Sequence, residues 1–311
     1  MMEGKVMTPR VREILHWYGA DHPGTLSKLA QVLNHGHLAG TGKVAIYAVA
    51  EAFTNGENPR LASHADLHDP IFHFARAVET GASAVVAPLG VLQAACRDFC
   101  GEIPFFLKVD AARTKAGGEV RCSSLSDLPS LIKAASWMGA VGLVLRVELT
   151  NCHVDSLAPW LIELRQAGLL SVISFTRSAI TERLETVAEM ARWVKWASEQ
   201  GAHFVHIPFP GEMLVASRSH REAESEVPGR RRADILRPIT EAALNGQRLV
   251  VWDLDVDPVQ GEEEYRQRLL VSAAGGGFGF SLGRALGGCP PAVARQTMKD
   301  YMEILVGREL K

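Results

Sequence analysis

The sequence predicts a (β/α)8 TIM barrel, an α/β fold in which eight parallel strands alternate with helices. Three observations predict it. Short apolar runs rich in Val, Ile, Phe or Leu recur eight times along the 311-residue chain. Helix-patterned segments separate most of them. The glycine-rich turn that opens a doubly wound dinucleotide-binding sheet is missing after the first run, which leads instead into Glu51-Ala52-Phe53-Thr54-Asn55-Gly56.

The first 40 residues read as a helical extension packed on the barrel, with Leu26 to Leu33 as its clearest helix. Residues 41–311 read as the barrel itself. Its predicted strands are Val44–Val49, Ala84–Ala87, Phe105–Val109, Gly142–Val147, Leu170–Phe175, Phe204–Pro208, Leu249–Leu254 and Gly279–Leu282. Each is short, apolar in the main and rich in Val, Ile, Phe or Leu, the pattern of a strand buried on both faces. Helical patterns fall at Pro70–Thr80, Asp127–Met138, Ser156–Gln166, Glu182–Glu199, Asp234–Leu244 and Glu262–Ser272. Gly81, Gly139, Gly168 and Gly201 stand where helix C-caps are expected. The polar stretch from Ser217 to Arg232 reads as a solvated loop.

Composition narrows the function classes. The chain is 47% hydrophobic, enough to bury a large core. Lys and Arg number 33 against 35 Asp and Glu, which argues against a nucleic-acid surface or a polybasic membrane face. Five scattered cysteines show no metal-ligand spacing and read as small buried hydrophobes in a reduced protein. The opening residues are too polar for a signal peptide, and no run reaches the roughly 18 apolar residues of a membrane span. These counts lead to the expectation of a reduced, cytoplasmic protein with no nucleic-acid or membrane partner. A homo-oligomer that takes a phosphorylated small molecule, with no cofactor or metal, is expected from the strand-end residues and the resemblance they carry, not from composition.

In such a barrel the chemistry sits at the C-terminal strand ends. Those positions and the loops after them offer Glu51, Lys108, Asp110, Arg146, Glu148, Arg177, His206, Asp253, Asp255 and Arg284. Lys108 ends the apolar run Ile103–Leu107, and a desolvated lysine is a candidate nucleophile or a buried ion-pair partner. Arg146 and Glu148 alternate along one strand and share a face, either for substrate or for a salt bridge. Asp253 and Asp255 suit a divalent metal held by oxygen ligands, acid–base work, or a solvated turn. The string Gly275-Gly276-Gly277-Phe278-Gly279-Phe280-Ser281-Leu282-Gly283-Arg284 is the clearest anion-binding signal. Small residues admit an anion to backbone N–H groups, and Arg284 offers a fork of donors.

These segments, in their order and spacing, resemble the class I fructose-bisphosphate aldolases of the DhnA type, within the wider group of deoxyribose-phosphate and autoinducer-sugar aldolases. The resemblance runs from about residue 44 to the C-terminus. It rests on Asp69-Pro70 to Gly81 with Ala87-Pro88-Leu89-Gly90, on Ile103 to Val109 with the family's lysine at Lys108, on Thr176-Arg177-Ser178, and on Gly279 to Arg284. It implies phosphate binding by Ser281, Gly283 and Arg284 and puts Arg177 in a matching segment as a further substrate contact, whereas Arg146 is a substrate contact on the reading of its strand face alone. The departures fall on the chemistry. Where the family has a Schiff-base lysine, this chain has His206, and imidazole forms no stable imine. The first-strand aspartate is missing unless Glu51 replaces it. The strand-four tyrosine is missing from Leu145-Arg146-Val147-Glu148-Leu149, and the Ser-Gly-Gly loop after strand seven is Asp253-Leu254-Asp255.

Three expectations follow. The first is an aldolase-like lyase with a rebuilt site, in which His206, Lys108, Glu148 and Asp253 carry the chemistry. His206 would act as a general acid or base near its ordinary pKa of about 6.5, oriented by Asp253 or Glu148. The second is a non-catalytic ligand-binding or assembly protein. The third is a class I aldolase whose Schiff base has moved to Lys108.

Overall fold

The computed structural model describes residues 7–49, 65–114, 120–122, 128–149, 157–177, 186–209, 229–253, 258–282 and 290–307. Its strands are β1 (Val44–Ala48), β2 (Ala84–Pro88), β3 (Phe105–Thr114), β4 (Val120–Cys122), β5 (Gly142–Leu149), β6 (Leu170–Arg177), β7 (Phe204–Pro208), β8 (Leu249–Asp253) and β9 (Gly279–Leu282). Eight of them run parallel in the order β2-β1-β9-β8-β7-β6-β5-β3, and β2 pairs with β3 to close the ring. The eighth barrel strand thus meets the first, with Val44 opposite Gly279 and Tyr47 opposite Leu282. All eight predicted strands are present. β3 runs five residues further than the apolar run and folds back antiparallel onto β4, a hairpin the sequence pattern did not announce.

Ten α-helices are described: α1 (Pro9–His16), α2 (Pro23–Leu33), α3 (Pro70–Glu79), α4 (Leu89–Ala95), α5 (Leu128–Met138), α6 (Ala158–Gln166), α7 (Val187–Gln200), α8 (Gly229–Glu241), α9 (Pro258–Ala274) and α10 (Pro291–Leu305). Arg230, Arg231 and Arg232 lie in the first turn of α8 rather than in the expected loop. α7 shows how local sequence sets a boundary. Thr186 and Glu189 form a reciprocal capping box at its start, and Gly201 ends it in the left-handed conformation at φ 100°. None of the described helices is long and apolar enough to cross a membrane.

Two cores follow from the strand alternation. The outer one packs Tyr47, Val85, Leu107, Leu145, Ile173, Val205, Trp252 and Phe280 against the surrounding helices. The inner one fills the lumen with Val44, Ile46, Val86, Phe106, Val144, Val172, Phe204 and Val251. Val11, Ile14, Tyr18, Leu29, Val32 and Leu33 of the N-terminal segment join this inner core and close the lumen at the N-terminal strand ends.

A buried polar cluster ties that plug to the barrel. Asp21 Oδ2 sits 2.8 Å from His203 Nε2, and Arg165 Nε pairs with Asp21 Oδ1 at 2.9 Å. On the other side of the ring, His203 Nδ1 accepts the Ser171 backbone N–H at 3.1 Å and lies 2.8 Å from Ser171 Oγ. Tyr18 stacks on the same ring and donates its hydroxyl to the His203 carbonyl at 2.7 Å. An Nδ1 that accepts a backbone N–H carries no proton, so His203 is neutral and its Nε2–H donates to Asp21.

Candidate active site at the C-terminal end of the barrel

Alternation carries the lumen face two residues at a time toward the C-terminal strand ends. From Phe106, Val144, Val172, Phe204 and Val251 the next lumen positions are Lys108, Arg146, Ser174, His206 and Asp253. Ser281 follows Gly279 in the same way and is 7% exposed. The lumen therefore changes from wholly apolar to polar and charged over one layer. Lys108, Arg146, His206 and Asp253 are half-buried there.

His206 has the best-defined surroundings. It pairs in register with Ser174 on the neighbouring strand, and Ser174 Oγ lies 2.8 Å from His206 Nδ1. His206 Nε2 is buried and has no hydrogen-bond partner. The contrast with His203, three residues earlier, is informative. Both histidines meet a serine of β6 through Nδ1, but His203 also satisfies Nε2 with Asp21. A buried polar atom left without a partner costs roughly 1–3 kcal/mol, so an unpartnered ring nitrogen in a charged lumen marks a position for an incoming group.

Burial pushes the His206 pKa down to about 4, and the positive charge of Lys108 adds to that depression. This corrects the expectation of a histidine titrating near 6.5. The ring is neutral at neutral pH, fit to accept a proton or a hydrogen bond and unfit as a standing cationic acid. The effect of Lys108 also places its charge within electrostatic reach of the ring, although β3 and β7 are three strands apart in the sheet order. Among the described side chains, the partner on Nδ1 is Ser174. The Leu170–Phe175 run carries two hydroxyls, Ser171 and Ser174, and Ser174 shares the face of Leu170 and Val172, the signal that would have found it.

The other expected residues divide into two groups. Arg146 is in the lumen layer and donates from Nε to Thr176 Oγ1 at 3.3 Å. Asp253 pairs in register with Ser281 on β9 and with Pro208 on β7. The backbones of Glu148 and Arg177 belong to β5 and β6, but their side chains lie outside the described residues, as does that of Asp110. Glu51, Asp255, Gly283 and Arg284 lie outside them altogether.

The glycine run ahead of Ser281 has another explanation than anion binding. Gly279 pairs with Val44 at the start of β1, and a Cβ on Gly279 would strike the Val44 carbonyl oxygen. A Cβ on Gly277 would meet the Trp252 indole nitrogen. These two glycines permit close strand packing at the closed, N-terminal end of the barrel. Of the described part of the motif, Ser281 lies toward the open end. Among the cysteines, Cys100 is exposed and Cys96 half-buried, so neither is the fully buried hydrophobe that composition suggested.

Comparison with known proteins places this geometry. No family model matches the chain. A probable fructose-bisphosphate aldolase class 1 from Chlamydia muridarum is 28% identical over 174 residues, which are 50% of this chain and 47% of that protein. The chain thus matches about half the length of that curated relative. The fructose-bisphosphate aldolase from Slackia heliotrinireducens superposes with a TM-score of 0.65 at 16% identity, covering 100% of this chain and 91% of that one. A Schiff-base-forming fructose-1,6-bisphosphate aldolase gives a TM-score of 0.63 at 17% identity, covering 88% and 98%. An archaeal fructose 1,6-bisphosphate aldolase gives 0.63 at 15%, covering 94% and 99%. The fold is a closed eight-stranded barrel of the aldolase type.

Proposed function

We propose that this chain is an enzyme of aldolase-like carbon–carbon lyase or related chemistry, acting on a small phosphorylated sugar or carbonyl compound. Its site is rebuilt and makes no Schiff base on the sixth barrel strand, where His206 stands. One observation carries the reading: a buried His206 Nε2 without a partner, in a lumen layer that also holds Lys108, Arg146 and Asp253. A site given up altogether is more stable filled with apolar side chains, because buried charges cost several kcal/mol when poorly paired. The Chlamydia muridarum relative supports a sugar-phosphate substrate. Ser281, Gly283 and Arg284 take the phosphate in this reading, with Arg146 and Arg177 toward the carbonyl end.

The test offers dihydroxyacetone phosphate and a panel of aldehydes to the protein, with and without borohydride, followed by product analysis and intact-protein mass. The expected result is carbon–carbon bond formation with no trapped adduct, lost in His206→Gln. Absence of both turnover and binding would overturn the reading and leave a non-catalytic barrel.

A second reading has its own observation. The charge of Lys108 acts on the His206 ring, so a neutral base stands within electrostatic reach of a lysine. That arrangement suits a Schiff base relocated to Lys108. A borohydride adduct mapped to Lys108 establishes it.

A further inference from the structure

We propose that the open end of the barrel catalyses enolisation, the exchange of a proton on the carbon next to a carbonyl, with His206 Nε2 as the base and the Lys108 ammonium as partner of the oxyanion. No bond forms between protein and substrate. The inference rests on the preceding reading that this end is an active site, and it names an activity that does not require carbon–carbon cleavage.

The geometry supplies each part. Ser174 is 6% exposed and meets the ring at Nδ1, which fixes that nitrogen and leaves Nε2 without a partner. An imidazole has two neutral tautomers, and a lone pair facing a cation is lower in energy than an N–H facing it. The charge of Lys108 therefore favours the proton on Nδ1, donated to Ser174 Oγ, and a lone pair on Nε2. Ser174 is a positioning residue in this scheme and does not touch substrate. An anionic substrate bound beside Lys108 offsets the charge that depresses the ring and makes it a stronger base once the site is filled.

The step balances without a co-reactant. Nε2 takes the proton from the carbon next to the carbonyl. The C–H electron pair becomes a C=C bond, and the C=O π pair moves onto oxygen, where it meets Lys108. The imidazolium then returns a proton to carbon. The favoured substrate is a small ketone with an α C–H bond and an anionic group, since Lys108 and Arg146 both present positive charge to the lumen.

The experiment incubates the whole chain with dihydroxyacetone phosphate in D2O and follows loss of the α C–H signal by NMR. The expected result is exchange without a borohydride-trapped adduct, reduced about 100-fold or more in His206→Gln and in Lys108→Met, the usual worth of a positioned acid–base group. Ser174→Ala moves the acid limb of the exchange–pH profile, and Ser174→Thr restores it. A merely structural serine leaves that profile unmoved, an outcome that overturns its assigned role. Calorimetric binding of dihydroxyacetone phosphate to each variant separates a lost base from a lost fold. Binding without exchange in the wild type overturns this inference and leaves the broader reading standing. Exchange that survives in His206→Gln, or an adduct on Lys108, also overturns it. No binding overturns both.

Discussion

Asp21 and His203 are 182 residues apart and meet at 2.8 Å, joining the N-terminal helices to the start of β7. The carboxylate accepts from a neutral imidazole on one oxygen and pairs with Arg165 on the other. The aspartate side chain is only 6% exposed. Removing it leaves the buried His203 N–H without its acceptor and strips Arg165 of its carboxylate partner, the guanidinium keeping the Gly201 carbonyl. Asp21→Ala should destabilise the protein by about 2–3 kcal/mol, the range for a lost hydrogen bond to a charged group. Urea denaturation measures it. A change under about 0.5 kcal/mol would mean that the plug is held by its apolar contacts alone.

The depressed histidines make stability fall on the acid side. In the unfolded chain His206 takes up its proton near pH 6.5, whereas in the folded protein it stays neutral down to about 4. Between those values the unfolded state binds more protons, so stability rises with pH there and is lost as pH falls through the window. His203 shifts in the same direction, with burial the larger cause and Asp21 opposing it. A depression of this size in His206 corresponds to about 3 kcal/mol across the window. His206→Gln should flatten part of the slope between pH 6.5 and 4 and leave the His203 part. Denaturation at a series of pH values tests it, and an unchanged slope in the variant would sink the assignment.

Gly279→Ala should destabilise the barrel seam. The added methyl meets the Val44 carbonyl oxygen across the pairing that closes β9 on β1, and backbone on both sides limits relaxation. Overpacking of this kind costs about 1–3 kcal/mol. Thermal unfolding followed by circular dichroism reads it. Gly90→Ala, where a Cβ meets nothing within 4 Å, is the neutral control.

Arg284→Ala should weaken binding of a phosphorylated ligand by about 1.5–3 kcal/mol, as for hydrogen bonds to charged groups. Titration calorimetry with dihydroxyacetone phosphate measures it. An affinity equal to that of the wild type would exclude Arg284 as the phosphate contact and make Arg146 the next residue to change.

The eight barrel strands could be read from the sequence because each is largely buried on both faces and shows as a short, mainly apolar run, a local signal. The same locality explains Gly201, where an interrupted helical pattern and a residue free to take φ 100° announce a helix end together. Lys108, Arg146, His206 and Asp253 could be picked out because a polar side chain at the end of such a run has few reasons to be there. Their shared lumen layer needed the closed ring. Alternation assigns residues to a face, but only pairing across strands puts Ser174 against His206 and brings the charge of Lys108 to bear from three strands away. The β3–β4 hairpin, the role of Gly279 and the latch at Asp21 escaped the sequence for one physical reason. Each depends on a contact between positions far apart in the chain or on backbone pairing that side-chain patterns do not encode. The chain's local chemistry determined which elements form and where polar groups interrupt them. Closure of the barrel decided which of those groups meet, and it left one ring nitrogen of His206 buried without a partner.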